Sequence, residues 1–338
     1  MKVVVGDELF ERSFQERWPF LLGSLFHACG QRHHVVALDP SGPNYLNWLK
    51  ERPELEKKEV EIVLDTSCEL EARLVIDCVI TASTSASDWS CDPPKVGPEE
   101  LIQTVSHPLS VLVENGSNDG AFLRCMGFGI DRRNLLAAYE QEHLSFDLGG
   151  GSSSLNVLKT RRPRERYRTW FVFDSDALTP NQPSEEAKTK SEECVALGLT
   201  ERHHRLRRRA AENYLPAETL LQAFPHENSV AHKRARAFGG MNPEQRAHYN
   251  LSEGFKGDQK RLESATTGPS GPNAAEKPDV DALYADMPAQ DRAQLETGFG
   301  KKTLRELFQP TLLPDESRRK DGQEPEMGDL IRRILRWL

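Results

Sequence analysis

Short apolar runs rich in β-branched residues recur along the chain, at residues 3–5, 35–38, 60–64, 74–81, 109–113, 144–146 and 170–173. Several are continuous rather than alternating, and stretches of helical period lie between some of them. Strands covered on both faces inside a parallel sheet have this pattern, so the chain is expected to be α/β, with a mainly parallel sheet flanked by helices.

The pattern also suggests boundaries. Residues 83–98, STSASDWSCDPPKVGP, neither continue a helix nor suit a central strand, and they separate an N-terminal α/β domain (1–98) from a second unit (99–253). The second unit opens with a short helix, PEELIQTV, feeding the strand PLSVLVE. Residues 254–278 turn small and polar in their second half and are expected to form a flexible linker. A helical C-terminal region (279–338) follows. Its last stretch puts Leu330, Ile331, Ile334, Leu335 and Leu338 on one face and Arg332, Arg333 and Arg336 on the other. This is a docking helix, for its own domain first, or else for a second copy in a homodimer or another partner.

Composition narrows the class. A length of 338 residues leaves room for two domains, yet only 37% of them are hydrophobic. The mean hydropathy is -0.61, and no run approaches the roughly 20 apolar residues of a spanning helix. The opening MKVVVGDELFERSF turns acidic before a signal-peptide core could form, so a cytoplasmic protein without membrane contact is expected. With 44 basic against 52 acidic residues the net charge is -8, and any polyanion must be met by a local patch. Six scattered cysteines without CxxC or zinc spacing are expected to be buried free thiols.

Three acidic clusters fall where strands end or helices begin, the places where α/β sheets collect their ligands. The run Val111-Leu112-Val113 delivers Glu114 to a strand tip, followed by a polar turn containing Asp119. The strand Trp170–Phe173 ends in Asp174-Ser175-Asp176, where period two points both carboxylates to one side. Paired carboxylates repel unless a cation lies between them, and hard oxygen donors suit Mg²⁺ or Mn²⁺. By itself the same motif also serves as turn or capping aspartates. The third cluster is Glu212, behind Arg207-Arg208-Arg209. Between the first two, Gly149-Gly150-Gly151 is a turn that either offers backbone N–H groups to a phosphate or admits a close chain approach.

The order is a strand with Glu114, a helix, a strand with the Gly149 turn, a helix, and a strand with Asp174 and Asp176. It resembles the Toprim domain of topoisomerases, bacterial primases, recombination-repair proteins and nucleases of the OLD (overcoming lysogenization defect) type. The block from FVFDSDALTP to RRRAAENYLP is similar to that of bacterial Toprim-like defence nucleases, in which a basic strand and an E-N-Y-L-P segment follow the DxD. The resemblance covers residues 108–224, about a third of the chain. One departure stands out: the family spaces its glutamate and next aspartate as ExxxD, whereas here Asn118 holds that position and Asp119 comes one later.

The resemblance implies an endonuclease that cleaves nucleic acid, DNA ahead of RNA, with two Mg²⁺ or Mn²⁺ ions. It assigns Asp174 and Asp176 to metal, Glu114 to metal binding or proton transfer, and Glu212, with Asp119, to the second metal. It also implies an effector of antiviral defence controlled by a separate ATPase or sensor subunit, since this chain has no GxxxxGK[ST] loop. Two basic runs are expected to flank the site and hold the phosphate backbone: one with Arg161, Arg162 and Arg164, the other with Arg205, Arg207 and Arg208, with Lys233 as a further contact. Two alternatives stay open: a non-catalytic scaffold of the same fold, and a phosphatase using the DxD as a phosphoaspartyl motif.

Overall fold

The structure is a computed structural model that describes residues 1–11, 21–265, 276–309 and 311–338. Two four-stranded sheets organise them. The first contains β1 (Lys2–Val4), β2 (Val35–Ala37), β3 (Val79–Ala82) and β4 (Lys95–Val96), in the order β2-β1-β3-β4. The second contains β5 (Leu109–Val113), β6 (Leu144–Leu148), β7 (Thr169–Phe173) and β8 (His203–Arg205), in the order β6-β5-β7-β8. All the strand pairs are parallel.

Helices make the crossovers between the parallel strands except from β3 to β4, where residues 83–94 cross without a helix. In the second sheet the chain steps from β5 to β6 and then back across β5 to β7. This reversal opens a crevice at the carboxyl ends of the two central strands, the usual ligand position in such sheets. Both β5 and β7 are buried at every position, which accounts for their unbroken apolar runs.

Three expectations are corrected, the first being the run 74–81, of which only the end enters a strand, β3 at Val79–Ala82. Residues 60–64 lie inside the helix Glu54–Arg73, which buries Val60, Val63 and Ser67 at helical spacing and turns its acidic and basic residues outward. A 20-residue amphipathic period outweighs a short β-branched run. Residues 83–98 do not only separate two units, because Lys95–Val96 pairs with β3 as the edge strand of the first sheet.

The expected linker is corrected as well. Its first part forms the helix Phe255–Ala265, and its end enters the helix Glu276–Leu283, while residues 266–275 lie outside the described residues. Phe255 and Asp258 are buried, and Asp258 pairs with Arg209 at 2.7 Å, so this segment has packing that its polar composition conceals.

One continuous buried cluster runs from Val3 and Ile80 of the first sheet through Val111 and Trp170 of the second to Ile331 near the C-terminus. The helix Glu324–Leu335 buries Met327, Leu330, Ile331 and Ile334 and packs against the helices Gly116–Met126 and Gly129–Glu140. Complete burial of such side chains contributes about 1.5–3 kcal/mol each. Glu326 anchors the same helix, accepting hydrogen bonds from Tyr214 Oη at 2.7 Å and Arg207 N at 2.8 Å, with His204 Nε2 at 3.0 Å. Of the six cysteines, Cys29, Cys78, Cys125 and Cys194 are buried, but Cys68 is exposed, on the outer side of the helix Glu54–Arg73.

Candidate acidic site

Strand register brings the first two acidic clusters together. Val113 of β5 lies opposite Val172 of β7, so Glu114 and Asp174 leave adjacent strand ends, roughly 5 Å apart in the pairing direction. The glycine turn braces the first of them. Gly149 N donates to Val113 O at 2.6 Å and Gly151 N to Glu114 O at 2.9 Å. A Cβ at Gly149 would stand 2.8 Å from Val113 O and 2.5 Å from the Ser154 Cβ, so no larger residue fits without displacement. Of the two uses foreseen for this turn, the close chain approach is the one the geometry displays.

Asp174 follows β7. Its Oδ1 accepts a hydrogen bond from Ala211 N at 3.0 Å, which ties it to the short helix Ala211–Tyr214 carrying Glu212. Burial holds the Asp174 carboxyl well above the ordinary aspartate range, and the charges of Glu114, Asp119, Glu212 and Asp176 push it the same way. Asp119 lies on the helix Gly116–Met126, with its Oδ2 accepting from Asn115 N at 2.8 Å. Burial, with Glu212 and Glu114 nearby, pushes its carboxyl up to about 7, against the opposite pull of the Asn115 N–H and Arg305. The Asn118 side chain lies outside the described residues.

Asp176 converges by a different route from the one its spacing suggested. Strand β7 ends at Phe173, and Asp176 has a left-handed backbone (φ 49°) fixed by its N–H bond to Arg209 O at 2.8 Å. A turn, rather than strand alternation, brings it beside Asp174. Asp174, Asp176 and Glu212 then line a cavity of about 230 Å³. Glu114 and Asp119 stand behind them, close enough for each to raise the Asp174 carboxyl.

Several partners escape sequence reasoning. Lys190, on the helix Glu185–Ala196, is buried and bridges Glu114 at 2.5 Å and Glu186 at 2.7 Å. Burial still raises the Glu114 carboxyl, with the lysine opposing it. The same cavity is also lined by Arg261, Lys301 and Arg305, together with a further acid, Glu253. Arg261 approaches Asp176 at 3.9 Å. These cations come from the segments read as linker and C-terminal region, and no local motif marks them.

The basic runs divide sharply. Arg161 binds Asp147 at 2.7 Å and also reaches Ser110 and Thr169 near the starts of β5 and β7. That end of the sheet is roughly 16 Å from the acids along a five-residue strand, so the first run does not flank the cavity. Arg164 is buried near it, and Arg162 pairs with Glu165. In the second run Arg208 is buried against Asp321 at 2.6 Å, while Arg205 and Arg207 are exposed, as is Lys233.

Among the described residues, no group of three or more His, Cys, Asp and Glu side chains is arranged to hold a metal ion. Among them, too, no helix is long and apolar enough to cross a membrane. Comparison with protein-family profiles, curated proteins and solved structures finds no match.

Proposed function

We propose that this protein is a metal-dependent nuclease with a Toprim-type acidic site at the carboxyl ends of β5 and β7. The observation that carries the reading is the setting of Asp174: a half-buried carboxyl pressed by Glu114, Asp119, Glu212 and Asp176, in a cavity also lined by Arg261, Lys301 and Arg305. Concentrated negative charge calls for a cation, and the positive charge in the same cavity suits a phosphate. A phosphodiester with bound divalent ions meets both requirements.

The donor set fits Mg²⁺ or Mn²⁺ in kind, because every donor is a carboxylate and their mutual repulsion is what a cation would relieve. The side chains converge without forming a closed cage. Asp174 and Asp176 would hold one ion, and Glu212 with Asp119 a second, with Glu114 available to either. Ions bound there would neutralise the scissile phosphate and the attacking and leaving oxygens.

The chain's own residues do the rest. Lys301 and Arg305 orient the phosphate as charged donors. Proton transfer falls to Glu114 where it is not taken up as a metal ligand. The cavity of about 230 Å³ is smaller than a usual ligand pocket of roughly 300–1,000 Å³, so it takes a phosphate group while the polymer runs across the surface. Arg205, Arg207 and Lys233 are exposed and free of the structural pairing that occupies Arg208, and would carry that backbone. A role as a cytoplasmic defence effector under the control of a partner ATPase or sensor follows from the resemblance alone.

The test is cleavage of supercoiled plasmid and of total RNA with Mg²⁺ or Mn²⁺, comparing the intact chain with Asp174→Ala, alone and with proteins encoded beside it. Cleavage lost in the variant supports the reading. Equal cleavage by both, with folding intact, removes the catalytic role and favours a scaffold.

A further inference from the structure

We propose that a second cavity, of about 570 Å³ at the junction of the two sheets, binds an organic phosphate of nucleotide size. The cavity lies at the opposite end of the second sheet from the acids. On its wall, His107 lies two residues before β5, and His143 and Arg168 immediately precede β6 and β7. The proposal therefore stands or falls independently of the nuclease reading.

Charge is the first argument. Arg32, Arg73, Arg168, Arg332 and Arg336 line the cavity, and the one acidic side chain among its described lining residues, Asp131, pairs with Arg332 at 3.6 Å. The protein as a whole carries a net charge of -8, so this concentration of guanidinium groups opposes the general balance. Burial lowers the pKa of His143, and Arg32, His33 and Arg168 lower it further, as expected where positive potential accumulates. Guanidinium groups recognise phosphate oxygens with paired donors.

Unpartnered polar atoms are the second. His34 is 4% exposed and Arg168 3% exposed, and both line the cavity. His34 uses Nε2 on Val105 O at 3.0 Å, but its buried Nδ1 has no hydrogen-bond partner, and neither has the buried Nε of Arg168. Buried polar groups are normally paired: a phosphate oxygen suits the Nε–H of Arg168, and a sugar hydroxyl suits the Nδ1 of His34, which is left as an acceptor because Nε2 donates to the Val105 carbonyl.

The rest of the wall selects the rest of the ligand. Leu70, Ile76, Ala137 and Leu335 form an apolar side, and Leu74 and Val75 are 55% and 63% exposed at its edge. An inorganic anion leaves this surface unused, whereas a nucleoside phosphate covers it with base and sugar. The volume lies inside the usual range for such ligands.

Titration calorimetry of the full chain against AMP, ADP, ATP and inorganic phosphate, with EDTA present, tests this. The expected result is saturable binding of at least one nucleotide, weakened tenfold or more in Arg73→Ala/Arg336→Ala. Both side chains are exposed, so that double variant keeps its fold. Arg162→Ala, outside the cavity, serves as the control and leaves binding unchanged. The proposal is overturned by absence of nucleotide binding, by binding that survives the double variant, or by inorganic phosphate binding as tightly as any nucleotide.

Discussion

Lys190 Nζ lies 2.5 Å from Glu114 Oε1 across 76 residues of sequence, joining the helix after β7 to the tip of β5. Both side chains are nearly closed to water, at 4% and 11% exposure. The lysine opposes the rise that burial imposes on Glu114 and so favours its charged form. Without it the carboxylate is buried among like charges.

Lys190→Met is therefore expected to destabilise the protein by about 3 kcal/mol at pH 7.5, the low end for breaking a buried pair, since Glu114 can escape by taking a proton. The penalty shrinks toward pH 5, where protonation of Glu114 is easier. Urea unfolding of both proteins at the two pH values checks this. An equal penalty at both would mean that the lysine stabilises through packing and not through charge. Cleavage falls in the same variant if Glu114 must be ionised for catalysis.

The acids also set a pH slope. Glu114, Asp119 and Asp174 all have carboxyls raised by burial first, so the folded state binds protons more tightly than the unfolded chain. Stability is then fullest at low pH and declines as pH rises through the raised values, for Asp119 between its ordinary 3.8 and about 7. The expected outcome is a lower Tm at pH 8 than at pH 5.5 in EDTA, with part of the loss restored by millimolar Mg²⁺. Asp174→Asn keeps an Oδ1 acceptor for Ala211 N while removing the charge, so it raises the pH 8 Tm by several degrees and abolishes cleavage. A variant less stable than the parent at pH 8 would contradict the repulsion argument.

Where the polypeptide runs locally, the pattern was readable. Unbroken apolar runs marked β5 and β7, and acids at their ends marked Glu114 and Asp174. What depended on distant pairing was hidden. Arg208 reads as a phosphate contact because nothing nearby announces Asp321 as its partner, and the pairing of Arg209 with Asp258 is equally silent in the sequence. Residues 60–64 read as a strand because the run was judged without the longer acidic and basic period around it. Lys301 and Arg305 reach the acids only through the packing of the C-terminal third, which no spacing records.

Those arginines give a prediction that separates structure from binding. Arg208→Ala removes one of two arginines from Asp321, which keeps Arg246 at 3.1 Å and Gln323 at 2.9 Å, and is expected to cost about 2–3 kcal/mol in chemical unfolding, below the loss of a sole buried partner. Arg207→Ala and Lys233→Ala, both at exposed side chains, should change stability by no more than about 0.5 kcal/mol. Each should instead lower affinity for any nucleic acid sequence and reduce the salt slope by about one. Filter binding from 50 to 200 mM salt reads the second effect. If Arg207→Ala and Lys233→Ala leave the slope unchanged, the polymer takes another path.

The glycine turn supplies a test in which no acid, base or charge is altered. Gly149 lies against Val113 O so closely that a methyl group would meet it at 2.8 Å and Ser154 Cβ at 2.5 Å. Ser154 is fully buried and cannot withdraw into solvent. The contact is relieved by moving the turn or the end of β5, and Glu114 is the next residue on that strand. Gly149→Ala is thus expected to lower cleavage by tenfold or more, since displacements of about 1 Å at a catalytic group cost on the order of 100-fold. Its secondary structure by circular dichroism should remain that of the parent. Gly150→Ala is the comparison, because its left-handed backbone (φ 76°) strains the chain while its added methyl meets nothing closer than the Ser153 Cβ at 3.7 Å. It should lose stability with a smaller loss of cleavage. If both variants lose activity in proportion to stability, the turn is a structural connection and Glu114 does not depend on its close approach.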